Sequence, residues 1–190
     1  MRSILGKKDN SKGNQLILGI GLIILMLFST LGYALGGRNK DANEVIDYKG
    51  IEFIQDGSGY WKFVINNYEF LLKYNPQEIQ DISFNGNFVL TDFQDKPLYF
   101  VGESNEPMIE IARNLERFVL RIQNACINGE DCEGDLPIKD CFGDNIIIIK
   151  ELGDGESESI SQQGNCLYIS ASYANQTRYA DKFMYKLLDI

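Results

Sequence analysis

Residues 51–74 read IEFIQDGSGYWKFVINNYEFLLKY, and three short aromatic and β-branched runs divide them: 51–55, 60–65 and 68–74. Between the runs stand Asp56-Gly57-Ser58-Gly59 and Asn66-Asn67, residue types that tolerate positive φ and supply hairpin turns. The pattern predicts a three-stranded antiparallel meander. Alternation puts Trp61, Phe63 and Ile65 on one face, while Tyr68, Phe70, Leu72 and Tyr74 alternate with Glu69, Leu71 and Lys73. Asn75-Pro76-Gln77-Glu78 then has the form of a helix start, with a capping Asn, Pro at the first position and Glu at the third. A helical turn to Ile82 is expected.

Beyond a loop-rich stretch around Asn85-Gly86-Asn87, residues 98–101 read as a further strand, and Pro107 opens a long helix. In it Met108, Ile111, Ala112, Leu115, Phe118, Val119, Ile122 and Cys126 recur at intervals of three and four, while Glu110, Arg113, Arg117 and Arg121 project elsewhere. Residues 146–149, 159–163 and 166–170 suggest a second meander, with turns at Gly153-Asp154-Gly155 and Gly164-Asn165. The last segment places Tyr179, Ala180, Phe183, Met184, Leu187 and Leu188 on one helical face. These elements predict an α+β domain of two antiparallel β-meanders packed with a long helix and a C-terminal helix.

Toward the N-terminus, residues 16–35 read LILGIGLIILMLFSTLGYAL, 20 residues without a charge, the length that spans a hydrocarbon core of about 30 Å. The expectation is a single-pass transmembrane helix embedded in lipid. Arg2, Lys7, Lys8 and Lys12 precede it and Arg38, Lys40 and Lys49 follow, which favours a cytoplasmic N-terminus. The predicted layout is a basic cytoplasmic tail at 1–15, the span at 16–35, a polar linker at 36–47 and an extracytoplasmic domain at 48–190, located at the cell membrane. Two processing signals compete with a retained anchor. Ala34-Leu35-Gly36 has the form of a signal-peptidase site, and Lys12-Gly13 resembles a type IV prepilin cleavage site, although Leu18 stands where such signals carry glutamate.

The chain carries 27 acidic and 18 basic side chains in 190 residues, a net charge of -9, which argues against a nucleic-acid partner. It contains no histidine, so catalytic triads and imidazole zinc sites are excluded. Four cysteines, Cys126, Cys132, Cys141 and Cys166, lie beyond the apolar run with five, eight and 24 residues between them and no C-x-x-C, which points to two disulfides of an oxidising compartment. In a meander the first and third strands are about 10 Å apart with the middle one between them. A loop cysteine closes that gap, so Cys141 is expected to pair with Cys166, and Cys126 with Cys132.

Residues 128–158 hold ten acids and two bases. Asp131-x-Glu133-x-Asp135 imitates the opening of a calcium loop, but Leu136 and Phe142 stand at its sixth and twelfth positions. Asp154-x-Glu156-x-Glu158 fails in the same way, with Ser159 and Asn165 there. No metal site or cofactor is expected beyond weak calcium binding at surface carboxylates. Glu130, Asp131, Glu133, Asp135, Asp154, Glu156 and Glu158 are instead expected to form an acidic interaction surface. No catalytic residue is nominated.

Asp135-Leu136-Pro137-Ile138-Lys139-Asp140-Cys141, followed by residues 145–150 and Asn165-Cys166, resembles uncharacterised archaeal single-pass membrane proteins with a small cysteine-containing outer domain. The similarity covers mainly residues 115–190 and implies location and topology, with no activity or site residues. Together these features predict a membrane-anchored binding or assembly domain that contacts another envelope protein or surface polymer. The alternatives are a carboxylate-dependent envelope hydrolase and a prepilin-like filament subunit.

Overall fold

The computed structural model describes residues 19–28, 44–103, 106–129, 132, 134–153 and 155–190, in two units divided between Ala42 and Asn43. In the first unit, residues 19–28 form helix α1. Ten residues rise about 15 Å, half of what a bilayer core requires. Among the described residues no helix is long and apolar enough to cross a membrane. The expected transmembrane helix is corrected accordingly, and with it the single-pass anchor, the lipid contact and the membrane location; residues 16–18 and 29–35 of that span lie outside the described residues.

The second unit opens with β1 (Val45–Tyr48), β2 (Ile51–Gln55), β3 (Trp61–Ile65) and β4 (Tyr68–Leu72), an antiparallel sheet in that order. The expected meander is present and gains β1, which takes residues read as linker. Lys49-Gly50 and Asn66-Asn67 turn the hairpins with positive φ at all four residues. At the β2–β3 turn, Asp56 Oδ1 accepts bonds from the Ser58 and Tyr60 amides at 2.9 and 3.0 Å. The residues after β4 make the expected capping bonds, with Gln77 N donating to Asn75 Oδ1 and Asn75 N to Glu78 Oε2, but they form turns rather than a helix.

A mixed sheet follows. It is built from β5 (Pro97–Val101), β6 (Arg121–Asn124), β9 (Asn145–Lys150), β10 (Ser159–Gln163) and β11 (Cys166–Ser170) in the order β10-β11-β9-β5-β6. A parallel ribbon of β7 (Cys126–Ile127) and β8 (Ile138–Lys139) lies apart from it. The expected second antiparallel meander is corrected: β11 lies beside β9 and parallel to it, and β10 pairs antiparallel outside. Composition explains this order. Residues Asn145 to Ile149 of β9 are all buried, so the strand belongs at the sheet centre, whereas β10 buries only Ile160 and belongs at the edge.

Helices α2 (Leu90–Phe93), α3 (Glu106–Leu115) and α4 (Gln176–Leu187) complete the domain. The helix expected to reach Cys126 ends at Leu115. Beyond it the free edge of β5 captures the chain: Asp95 N donates to Phe118 O, Leu120 N donates to Lys96 O, and residues 121–124 pair in parallel with β5. Helical periodicity over Phe118, Val119 and Ile122 therefore loses to strand pairing.

One core joins Phe53, Trp61, Phe63 and Phe70 of the first sheet, Ile111 and Leu115 of α3, Phe183 and Met184 of α4, and the facing side of β5, β9 and β11. The Tyr185 ring of α4 stacks 5.7 Å from Phe63, and α4 also packs on β11 and β10. A smaller cluster, with Tyr99, Val101, Ile146, Ile148 and Cys166, covers the opposite side of the second sheet.

Among the described residues no strand lies beside the outer edge of β4. Its backbone is completed by helix side chains: Leu71 N donates to Asn114 Oδ1 (2.9 Å), Asn114 Nδ2 donates to Leu71 O (2.8 Å), and Lys73 N donates to Glu110 Oε1 (2.6 Å). Tyr74 N donates to Asp181 Oδ2 at 2.8 Å, and Tyr185 OH donates to Tyr74 O at 2.7 Å. Glu110, expected on the exposed side of its helix, is thus buried, as is Asp181. Their other oxygens, Glu110 Oε2 and Asp181 Oδ1, are buried with no hydrogen-bond partner among the described residues. Burial pushes Asp181 well above the usual carboxylate range, the neighbouring Glu110 charge adds to this, and burial also raises Glu110.

Acids whose folded pKa is raised contribute stability that is complete below the unfolded value, about 4, and is lost as pH rises through the folded values. Urea unfolding across about pH 4 to 9 should therefore show this contribution falling toward alkali. Asp181→Asn, which keeps an acceptor for Tyr74 N, should flatten the slope relative to the parent. Asp181→Leu strands that amide and should cost about 3 kcal/mol.

Candidate functional site

The chain between β7 and β9 is long, acidic and short of core residues, so its shape depends on crosslinks and local polar bonds. Both expected disulfides are present: Cys126 with Cys132, Cα atoms 5.9 Å apart, and Cys141 with Cys166, 5.0 Å apart. The second ties the loop before β9 to the first residue of β11, and because β9 and β11 are direct neighbours it has no intervening strand to cross. Gly164, at φ 58°, leaves no room for a side chain against the Cys141 carbonyl, which accepts Asn165 N at 2.8 Å.

Between these ties Asp140 Oδ1 accepts the amides of Phe142 (2.9 Å) and Gly143 (3.0 Å), and Asn165 Nδ2 donates to Phe142 O at 3.2 Å. Asp144 forms an ion pair with Lys139 at 3.1 Å. The backbone of Phe142 is fixed on both sides, yet its side chain is 95% exposed. Ile138 and Leu136 of the same segment are 66% and 40% exposed. Beside Phe142 opens a cavity of about 400 Å³, lined by Ile127, Lys139, Cys141, Gln163 and Tyr168 among others.

Beneath Lys139 lies Tyr99, whose hydroxyl accepts a bond from Arg121 Nη2 at 2.9 Å while Lys139 Nζ stands 4.4 Å from the ring centre. The Arg121 hydrogen bond, aided by Lys139, holds the phenol below its usual value against the opposing effect of burial. Tyr99 is 1% exposed and does not line the cavity, so it supports Lys139 instead of meeting a ligand. The neighbouring carboxyls Glu110 and Asp181 are equally closed to a substrate, being 1% and 0% exposed and bonded to the amides of the two residues after β4.

The acidic residues named from sequence separate. Glu130, Asp131, Glu133 and Asp154 lie outside the described residues. Asp135 and Glu156 are exposed, and Glu156 accepts the Gly153 amide at 3.2 Å. Glu158 is instead bound at the start of α4, accepting from Ser172 Oγ (2.6 Å), Ser172 N (3.1 Å) and Asn175 Nδ2 (2.9 Å). The Ser172 hydroxyl and the Asn175 amide hold its pKa down, and its charge is committed to this junction. Among the described residues no group of three or more acidic or cysteine side chains is placed to hold a metal ion. Phe142, the most exposed large apolar residue of the domain, was not singled out by sequence. The available signal was an aromatic residue between Asp140-Cys141 and Gly143-Asp144, where turn residues leave a large side chain nothing to pack on.

A pair of serines at Cys141 and Cys166, whose separation is 25 residues, should lower the unfolding free energy by about 3 kcal/mol in guanidinium titrations. The same change at Cys126 and Cys132, six residues apart, should cost about 2 kcal/mol.

No family model, curated protein or solved structure matches the chain.

Proposed function

We propose that this domain is a binding or assembly module of an oxidising compartment, contacting a basic surface of a partner protein through the loop that carries Phe142. The observation behind this reading is an aromatic side chain almost wholly in water on backbone pinned by a disulfide and an Asx turn, with a cavity at its side. An apolar anchor held in place before the encounter loses little conformational freedom on binding. Ile138 and Leu136 extend the apolar contact, and the acidic balance of residues 128–158 steers a partner of positive charge. That same charge repels a second copy of the chain. Glu110 and Asp181 do not serve the hydrolase alternative, because they are buried away from the cavity.

A photo-crosslinking residue at position 142, used in intact cells, should capture a discrete basic partner. Phe142→Ala should weaken its affinity for that partner at least about tenfold. The same substitution should leave unfolding stability within about 0.5 kcal/mol, since the ring packs on little. Undiminished affinity in Phe142→Ala would overturn the assignment.

A further inference from the structure

The opposite end of the second sheet carries a separate feature. Strands β6, β5, β9 and β11 run parallel. The chain leaving β5 passes through α3 to β6 on one side, while the chain leaving β9 passes through β10 to β11 on the other. Neighbouring parallel strands whose onward connections part in opposite directions leave a crevice at their carboxyl ends, the usual place for a ligand in open α/β sheets. A cavity of about 260 Å³ lies at that position.

Its floor is Ile149 at the end of β9, and its walls are Gly102, Glu103, Lys150, Glu151, Tyr173 and Gln176. Gly102 has φ 124°, and a Cβ there would collide with the Ile149 carbonyl, so the floor between the two strands stays free of side chains. Tyr173 presents its ring 68% exposed, and Gln176 is 3% exposed. This lining selects against several ligand classes. Two carboxylates beside one lysine disfavour a phosphate or other polyanion, and the lysine disfavours a simple cation. Polar walls disfavour a lipid, and the described residues offer no cluster for a metal.

What remains suitable is a neutral molecule with one apolar face and many hydroxyls. Carboxylates accept pairs of hydroxyl protons, an ammonium donates to ring oxygens, and an exposed phenol ring covers a face of C–H groups. We propose that the crevice between β5 and β9 binds a neutral pyranose sugar, with its C–H face on Tyr173 and its hydroxyls on Glu103, Glu151 and Lys150. The site is independent of the Phe142 loop, which lies at the other end of the same strands.

The test is amide NMR of the ¹⁵N-labelled full chain titrated with the methyl glycosides of glucose, galactose, mannose and N-acetylglucosamine, and with maltotetraose. At least one glycoside should give saturable shifts at Gly102, Glu151 and Gln176, with Kd on the order of 1 mM. Tyr173→Ala and Glu151→Gln should each weaken that binding at least about fivefold with spectra otherwise unchanged, and Phe142→Ala should leave it intact. Tighter binding of maltotetraose than of methyl glucoside would identify a polymer as the source, and equal binding a free sugar. Absence of saturable shifts up to about 50 mM with every probe would overturn the proposal. So would full binding by Tyr173→Ala, or an equal response to arginine amide.

Discussion

The domain depends on how one open strand edge is closed. A sheet edge exposes a row of amides and carbonyls, and β4 turns its row toward two helices that have no backbone groups to spare. Side chains make up the difference: Asn114 forms a reciprocal pair with Leu71, and Glu110 and Asp181 take the amides of the next two residues after β4. Two carboxyls converging on adjacent amides are forced together, and burial at this depth raises the pKa of both. The polar contact therefore fixes the position of α3 against α4. Because α4 touches both the aromatic face of the first sheet and strands of the second, it also fixes the two sheets.

The second sheet is ordered by burial. Four consecutive isoleucines in β9 require cover on both faces, so β9 takes a central place and β10, with its serines and glutamines, takes the edge. That choice makes β11 the direct neighbour of β9 and brings Cys141 to the start of β11. The same choice sends the chains after β5 and β9 in opposite directions, opening the crevice at their far ends. Disulfide and crevice are two consequences of one strand order.

Sequence revealed what rests on local pattern. The turns of the first sheet and at Gly164-Asn165, the strands at 51–55, 61–65, 68–72, 97–101, 145–150, 159–163 and 166–170, the C-terminal helix and the cysteine pairing follow from alternation, turn residues and spacing, and the structure contains each of them, whereas the hairpin expected between residues 150 and 159 is replaced by a crossover. Long-range competition was less legible. Residues 118–122 fit a helical stripe as well as a strand, and only the free edge of β5 decides between them. The pairing of Cys141 with Cys166 was reached through a middle strand that the structure places elsewhere. An aspartate on a helix reads as solvated, so Asp181 gave no sign of its burial; the strand edge that it satisfies lies 107 residues away in sequence. The apolar run at 16–35 met the length criterion for a span, whereas the described helix has only half that length. Of the candidate site, the crosslinks and the acidic surroundings were visible, but the exposure of Phe142 depends on Asp140 and Asn165 meeting around it.

The distribution of ionisable groups narrows the chemistry. The carboxyls raised by burial are locked to β4, the phenol lowered by Arg121 is sealed under Lys139, and the glutamate lowered by Ser172 is fixed at the start of α4. Each of these groups already has a structural partner, so its perturbation marks a joint of the fold. Among the groups that face water are a phenylalanine on a braced loop at one end of the sheet and a tyrosine beside two glutamates at the other. Phe142 and the crevice thereby lie at opposite ends of the same four parallel strands. The rigidity of those strands keeps the two features at a fixed separation.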